Sequence, residues 1–142
     1  MKVNEMRKDI TSREDIELLV NSFYTSVQHD PLIGPIFNDI ANVDWNLHLP
    51  KMYDFFETII LGNRGFKGNP MEVHFKINQQ FQLKPEHFDR WKSLFYKNVD
   101  INFEGENASA AKQKASSIAD LMFFKISVQN GDKPIINFKN KF

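Results

Sequence analysis

The stretch "SREDIELLVNSFYTSVQHDP" (residues 12–31) decides the fold class. Ser12 followed by Asp15 resembles a capping box, in which side chains satisfy the free N–H groups of a helix start. Ile16, Leu19, Val20, Phe23 and Val27 then recur at helical spacing until Asp30-Pro31 interrupts the run. This stripe predicts an amphipathic helix with one buried face. Tyr24 follows Phe23 and lies on or beside that face.

The same period recurs outward from it. "DPLIGPIFND" (30–39) is turn-rich, and Pro31, Gly34 and Pro35 prevent any long helix. A second long helix is expected from about Trp45 or His48 through Met52, Phe55, Phe56, Ile59 and Ile60, ending before Gly62. Pro50 fits if it lies in the first turn, where a missing N–H costs little. "LGNRGFKGNP" (61–70) reads as a loop, after which a brief helical turn carries His74. Pro85 opens the next helix, with Phe88, Trp91, Leu94 and Phe95 on one face. A last helix, about 107–128, uses Ala108, Ala111, Ala115, Ile118, Met122 and Ile126. No strand-period segment precedes the tail "NGDKPIINFKN" (130–140), which is extended or disordered. The expectation is a single all-α domain over 1–142, with a core at about 12–128 and a tail at 129–142.

The totals bound the function. A chain of 142 residues suffices for one domain with a real core. Its 18 basic and 18 acidic residues cancel, so no long-range field draws nucleic acid or an anionic membrane, and neither is an expected partner. Cysteine is absent, which removes disulfides, thiolate catalysis, Cys-ligated zinc, iron–sulfur clusters and covalent haem attachment. "MKVNEMRKDITSRED" (1–15) has no apolar signal-peptide core, and no run approaches the roughly 18 apolar residues of a membrane span. A cytoplasmic protein is expected. Phenylalanine is abundant, with 14 copies, which suits either a Phe-rich core or a slot for a flat apolar ligand.

No P-loop, HExxH, GxSxG or GxGxxG motif is present. There is also no ExxH pair for a di-iron bundle. Glu104 and Glu106 read as solvated residues at a helix start, where the macrodipole favours acidic groups. Polar rings on otherwise apolar faces remain. His74 stands alone in "NPMEVHFKINQQF" (69–81), where a histidine is most often a satisfied core or boundary residue, although it is also the commonest metal ligand. Taken singly, Tyr24 suits a core–surface boundary with its hydroxyl in water, His48 a capping or surface position and Trp91 a core position. All three carry a hydrogen donor on an amphipathic ring, and together with His74 they would make sense around a metal.

Five pieces in order, "FYTSV" (23–27), "LIGPIF" (32–37), "WNLHLPKMYDFF" (45–56), "HF" (74–75) and "RWKSLF" (90–95), resemble those of a truncated haemoglobin, most of all the group III branch. The resemblance spans roughly residues 12–128. It implies a shortened globin fold, two helices crossed over two, around haem b held non-covalently. It makes His74 the proximal iron ligand and Tyr24, His48 and Trp91 the polar groups of the distal side. It further implies that Phe37 packs against the haem and that Met52 forms an apolar pocket wall. Lys51 is a candidate partner for a haem propionate, against the alternative of a solvated lysine. The glycine pairs of other truncated haemoglobins are missing, as in group III. One departure is visible: group III members usually show Phe-Trp where this chain has Phe55-Phe56, which alters packing but removes no ligand. The solitary histidine is then accounted for, because a haem brings four ring nitrogens and needs one strong axial ligand from the protein.

The implied partners are diatomic gases, oxygen and nitric oxide, and an unidentified electron donor, since no flavin or nicotinamide motif is present. Donors aimed at a bound ligand that gathers negative charge stabilise it. Each such bond contributes about 1.5–3 kcal/mol, or about tenfold to a hundredfold in affinity. Slow ligand release suits redox or detoxification chemistry, nitric-oxide dioxygenation or peroxide chemistry, better than transport. His48 could donate, gate or bind iron itself. The alternatives are a haem-based sensor using the same pocket and a haem-free helical interaction module in which His74 is structural.

Overall fold

The computed structural model describes residues 7–40, 43–62, 74, 77–78 and 81–131. Helix α1 (Arg13–His29) starts where the Ser12 hydroxyl accepts from the Asp15 N–H at 3.2 Å. The Asp15 carboxylate takes no hydrogen bond from the Ser12 backbone N–H. It accepts instead from the Thr11 N–H at 2.9 Å and pairs with Lys8, so the cap is one-sided. The buried face carries the expected stripe, and Tyr24 belongs to it.

The chain then doubles back. The buried Asp30 carboxylate accepts from the Leu32 and Ile33 N–H groups at 3.0 and 2.9 Å and from the Arg90 guanidinium at 2.7 Å. A Cβ on Gly34 would lie 2.8 Å from the Gln28 carbonyl oxygen, so only glycine permits this close return against the end of α1. One wide π-helical turn, Ile36–Ile40, follows and carries Phe37. Such turns recur at functional sites.

Helix α2 (Trp45–Leu61) is capped by the Asp44 carboxylate, which accepts from the Asn46 N–H at 3.1 Å. It ends at Gly62, whose φ of 82° is the left-handed conformation that closes a helix at low cost in glycine. Pro50 lies inside the helix rather than in its first turn. Beginning α2 at Trp45 leaves the Asn46 carbonyl without an N–H four residues on, a bond given up near the helix start. Helices α3 (Pro85–Asn102) and α4 (Glu106–Gln129) follow, within a residue or two of the expected bounds. Asp9 organises the start of α4, accepting from the Asn107 and Ala108 N–H groups at 3.0 and 2.8 Å. Glu104 is exposed and pairs with Arg7.

Helix α1 packs on α2 and α3 on α4, while α1 also meets α3 and α2 meets α4. This is a two-over-two helical sandwich. No strand occurs among the described residues. Phe23, Phe56 and Phe95 are fully buried at the centre. Phe95 stacks on Phe56 with centroids 5.4 Å apart and meets Phe23 edge-on at 5.1 Å. Burying one such ring contributes about 1.5–3 kcal/mol, and six of the ten described phenylalanines are buried. A polar ladder fixes how α1 and α3 slide. Ser22 donates to the buried Asn98 side chain, which donates to Ser26 Oγ at 3.1 Å and to the Leu94 carbonyl at 2.8 Å. His74, Ile77 and Asn78 are helical, as the sequence leads one to expect of the His74 turn. Asn78 is buried and donates to Gln129 and Asn130 at 2.7 and 2.6 Å, tying that turn to the end of α4. The expected loop residues 63–70, Phe75 and the tail beyond 131 lie outside the described residues.

Candidate functional site

The predicted site residues fall in two adjoining groups. Tyr24, on α1, meets His48, on α2, edge to face with ring centroids 5.5 Å apart. Trp45 closes this cluster at 5.5 Å from Tyr24 and 5.7 Å from His48. It is held by its indole N–H, which donates to Asn38 Oδ1 at 3.3 Å. In the second group Phe37, His74 and Trp91 line one cavity, with about 450 Å³ between atoms when its open mouth is included. Phe37 joins the groups: its ring lies edge-on to His74 at 6.5 Å and 6.3 Å from Trp45. Tyr24 and Trp91 flank the same buried ring, Phe23, at 4.7 and 5.2 Å.

Local structure explains these placements. The polar ladder through Asn98 sets α3 against α1, so Trp91 stacks on Phe95 at 5.8 Å and presents its other side to the cavity. The π-helical turn brings Phe37 to the wall facing His74. Met52, one turn beyond His48, is buried in the core but does not line the cavity. Lys51 is exposed.

Electrostatics fix protonation states. Burial pushes the Tyr24 phenol up, so it remains a protonated donor at any physiological pH. Burial, then the nearby His74 and Lys51, push His48 down to about 4. His48 is therefore a neutral imidazole with one donor and one acceptor nitrogen. The influence of His74 on His48 also puts the two histidines within electrostatic reach of each other. The Tyr24 hydroxyl, the His48 ring and the Trp91 N–H form no hydrogen bond with any described residue.

Apart from His74, His87 and Trp91, every described residue lining the cavity is aliphatic, phenylalanine or methionine. Among the described residues no three His, Cys, Asp or Glu side chains converge as metal ligands. Sequence reasoning missed two contributors. In the sequence Trp45 carries only the signal of a helix start. His87 lies three residues after the α3 N-cap, where glutamate or glutamine is usual in a capping box; that substitution was the signal.

Comparison with known proteins agrees with the fold. The profile of the bacterial-like globin family matches residues 8–130. A group 3 truncated haemoglobin of Campylobacter jejuni is 29% identical over 117 residues, covering 80% of this chain and 90% of that protein. The crystal structure of the group III truncated haemoglobin from Campylobacter jejuni superposes with a TM-score of 0.70 at 29% identity, covering 82% of this chain and 92% of that one. The chain belongs to the bacterial-like globin family, and its helices form the truncated globin fold.

Proposed function

We propose that this globin binds haem b non-covalently through His74, and that Tyr24, His48 and Trp91 act on a diatomic ligand from the opposite face. What carries the reading is the set of three ring donors with no hydrogen-bond partner among the described residues, arranged around Phe23 and Phe37 beside a slot that His74 lines. Bound haem would supply an iron centre with one coordination position for oxygen or nitric oxide. The residues present suit such a group: the slot is walled by apolar side chains, and Phe37 lies edge-on to His74 at 6.5 Å.

The role of each side chain follows from its protonation. Tyr24 and Trp91 can each donate to the outer atom of a ligand that gathers negative charge. Trp91 has no acceptor, so it orients a ligand without removing a proton from it. Neutral His48 can donate or turn aside, and its unprotonated nitrogen could also reach iron. Apolar walls exclude water and strengthen each of these bonds. Two donors at about tenfold to a hundredfold each make ligand release slow. That favours redox or detoxifying turnover over transport. Conversion of nitric oxide and dioxygen to nitrate would consume one electron, which a separate one-electron donor must supply.

Stopped-flow dissociation of oxygen from the ferrous reconstituted protein tests this function. Release slower by tenfold or more than that of an ordinary oxygen carrier is expected. Release as fast as a carrier's would overturn the turnover reading.

A further inference from the structure

The cavity that His74 enters contains a second histidine, on α3. His87 is 8% exposed and lines the wall. Its Nδ1 accepts from the Lys84 N–H at 2.9 Å, which fixes both the ring's orientation and its tautomer. The ring packs against Phe81 with centroids 5.5 Å apart. Burial above all keeps His87 neutral, with opposing influences from Glu86 and Lys84. A neutral imidazole whose Nδ1 accepts must carry its proton on Nε2. That N–H donates to no described residue.

No fully buried side-chain donor among the described residues lacks a partner, so this N–H is open at the cavity wall, where an acceptor on a guest can reach it. Haem is apolar around most of its edge and carries two carboxylates there. We infer that His87 Nε2 donates a hydrogen bond to a haem carboxylate, so that this chain holds its cofactor from two histidines: His74 at the iron and His87 at the periphery. Lys51, the other candidate for such a contact, is exposed and lies outside this cavity's lining. The inference rests on the haem reading above.

The test reconstitutes wild type and His87→Leu with protohaem and, separately, with its dimethyl ester, which has no free carboxylates. Transfer to excess apomyoglobin gives the loss rate of each pigment. A hydrogen bond to a charged group predicts protohaem loss from His87→Leu about ten to a hundred times faster than from wild type. With the ester, the two proteins should differ by less than about threefold, because there is no carboxylate to lose. An equal acceleration with both pigments would show that His87 only caps α3 or packs, and would overturn the inference. Should His87→Leu fail to fold, the wild type decides alone: it must lose the ester at least about tenfold faster than protohaem, and equal loss overturns the proposal. The Soret band must stay in place in His87→Leu, and a change of iron ligation would instead make His87 an axial ligand. Failure of the wild type to take up either pigment would overturn the haem reading itself.

Discussion

Tyr24 and His48 pack edge to face at 84°, with ring centroids 5.5 Å apart, although they come from different helices. Neither ring's polar atom bonds to a described residue. A phenol and a neutral imidazole in this relation can serve one small guest between them. The contact depends on the α1–α2 pairing, which the Arg13 guanidinium also fastens by bonds to Asp54 and Glu57 at 2.8 and 2.6 Å.

Tyr24→Phe removes the hydroxyl and leaves the ring. Oxygen release from the ferrous protein should accelerate by about tenfold to a hundredfold. Fold stability should change little, because the hydroxyl has no partner among the described residues. Stopped-flow mixing and urea unfolding measure the two effects. Unchanged release with lowered stability would make Tyr24 a core residue only.

Phe56→Trp introduces the tryptophan usual in group III proteins at this point. Phe56 is 1% exposed and stacks on Phe95 with rings 19° from parallel. A larger ring there overpacks a filled core and should cost about 1–3 kcal/mol, read from urea unfolding. Unaltered stability would mean that the neighbouring helices yield.

Asp30→Asn tests the buried carboxylate that joins the end of α1 to Arg90. Burial alone would raise its pKa, but the Ile33 N–H, Arg90 and the Leu32 N–H together hold it below the usual 3.8. Unfolding therefore favours protonation, and the carboxylate's contribution is full above about pH 4 and fades as pH falls through the folded-state value. The substitution should cost about 1–3 kcal/mol at neutral pH. The difference from wild type should shrink in acid, as urea unfolding at several pH values would record. A difference constant down to pH 2 would exclude the charge as its source.

Much of this architecture is legible in the sequence because helices announce themselves through periodic apolar residues and caps. Ile16 to Val27, the Gly62 stop and the Pro85 start are local signals, and the helices follow them. The sequence leaves the start of α2 open between Trp45 and His48, and a proline suits a first turn, yet the Asp44 cap begins the helix at Trp45 and leaves Pro50 inside it. Long-range partners leave no such mark. Asp9 at the start of α4, Asn98 between α1 and α3, and Asn78 at the end of α4 are ordinary polar residues in the sequence. Their partners lie 51 to 99 positions away. Tyr24, His48 and Trp91 could be singled out as polar rings on apolar faces, but not their mutual arrangement. His87 leaves one local mark, its place three residues after the α3 N-cap, but nothing in the sequence says that its ring lines the cavity.

The proposed function rests above all on His74 as a protein ligand of a haem iron. Absorption spectra of the haem-reconstituted protein in ferric, ferrous and carbon monoxide-bound forms, beside His74→Ala, test it most directly. The account predicts strong Soret and visible bands in the wild type that are lost or shifted to an unligated form in the variant. A His74→Ala protein with full haem uptake and wild-type spectra would contradict it.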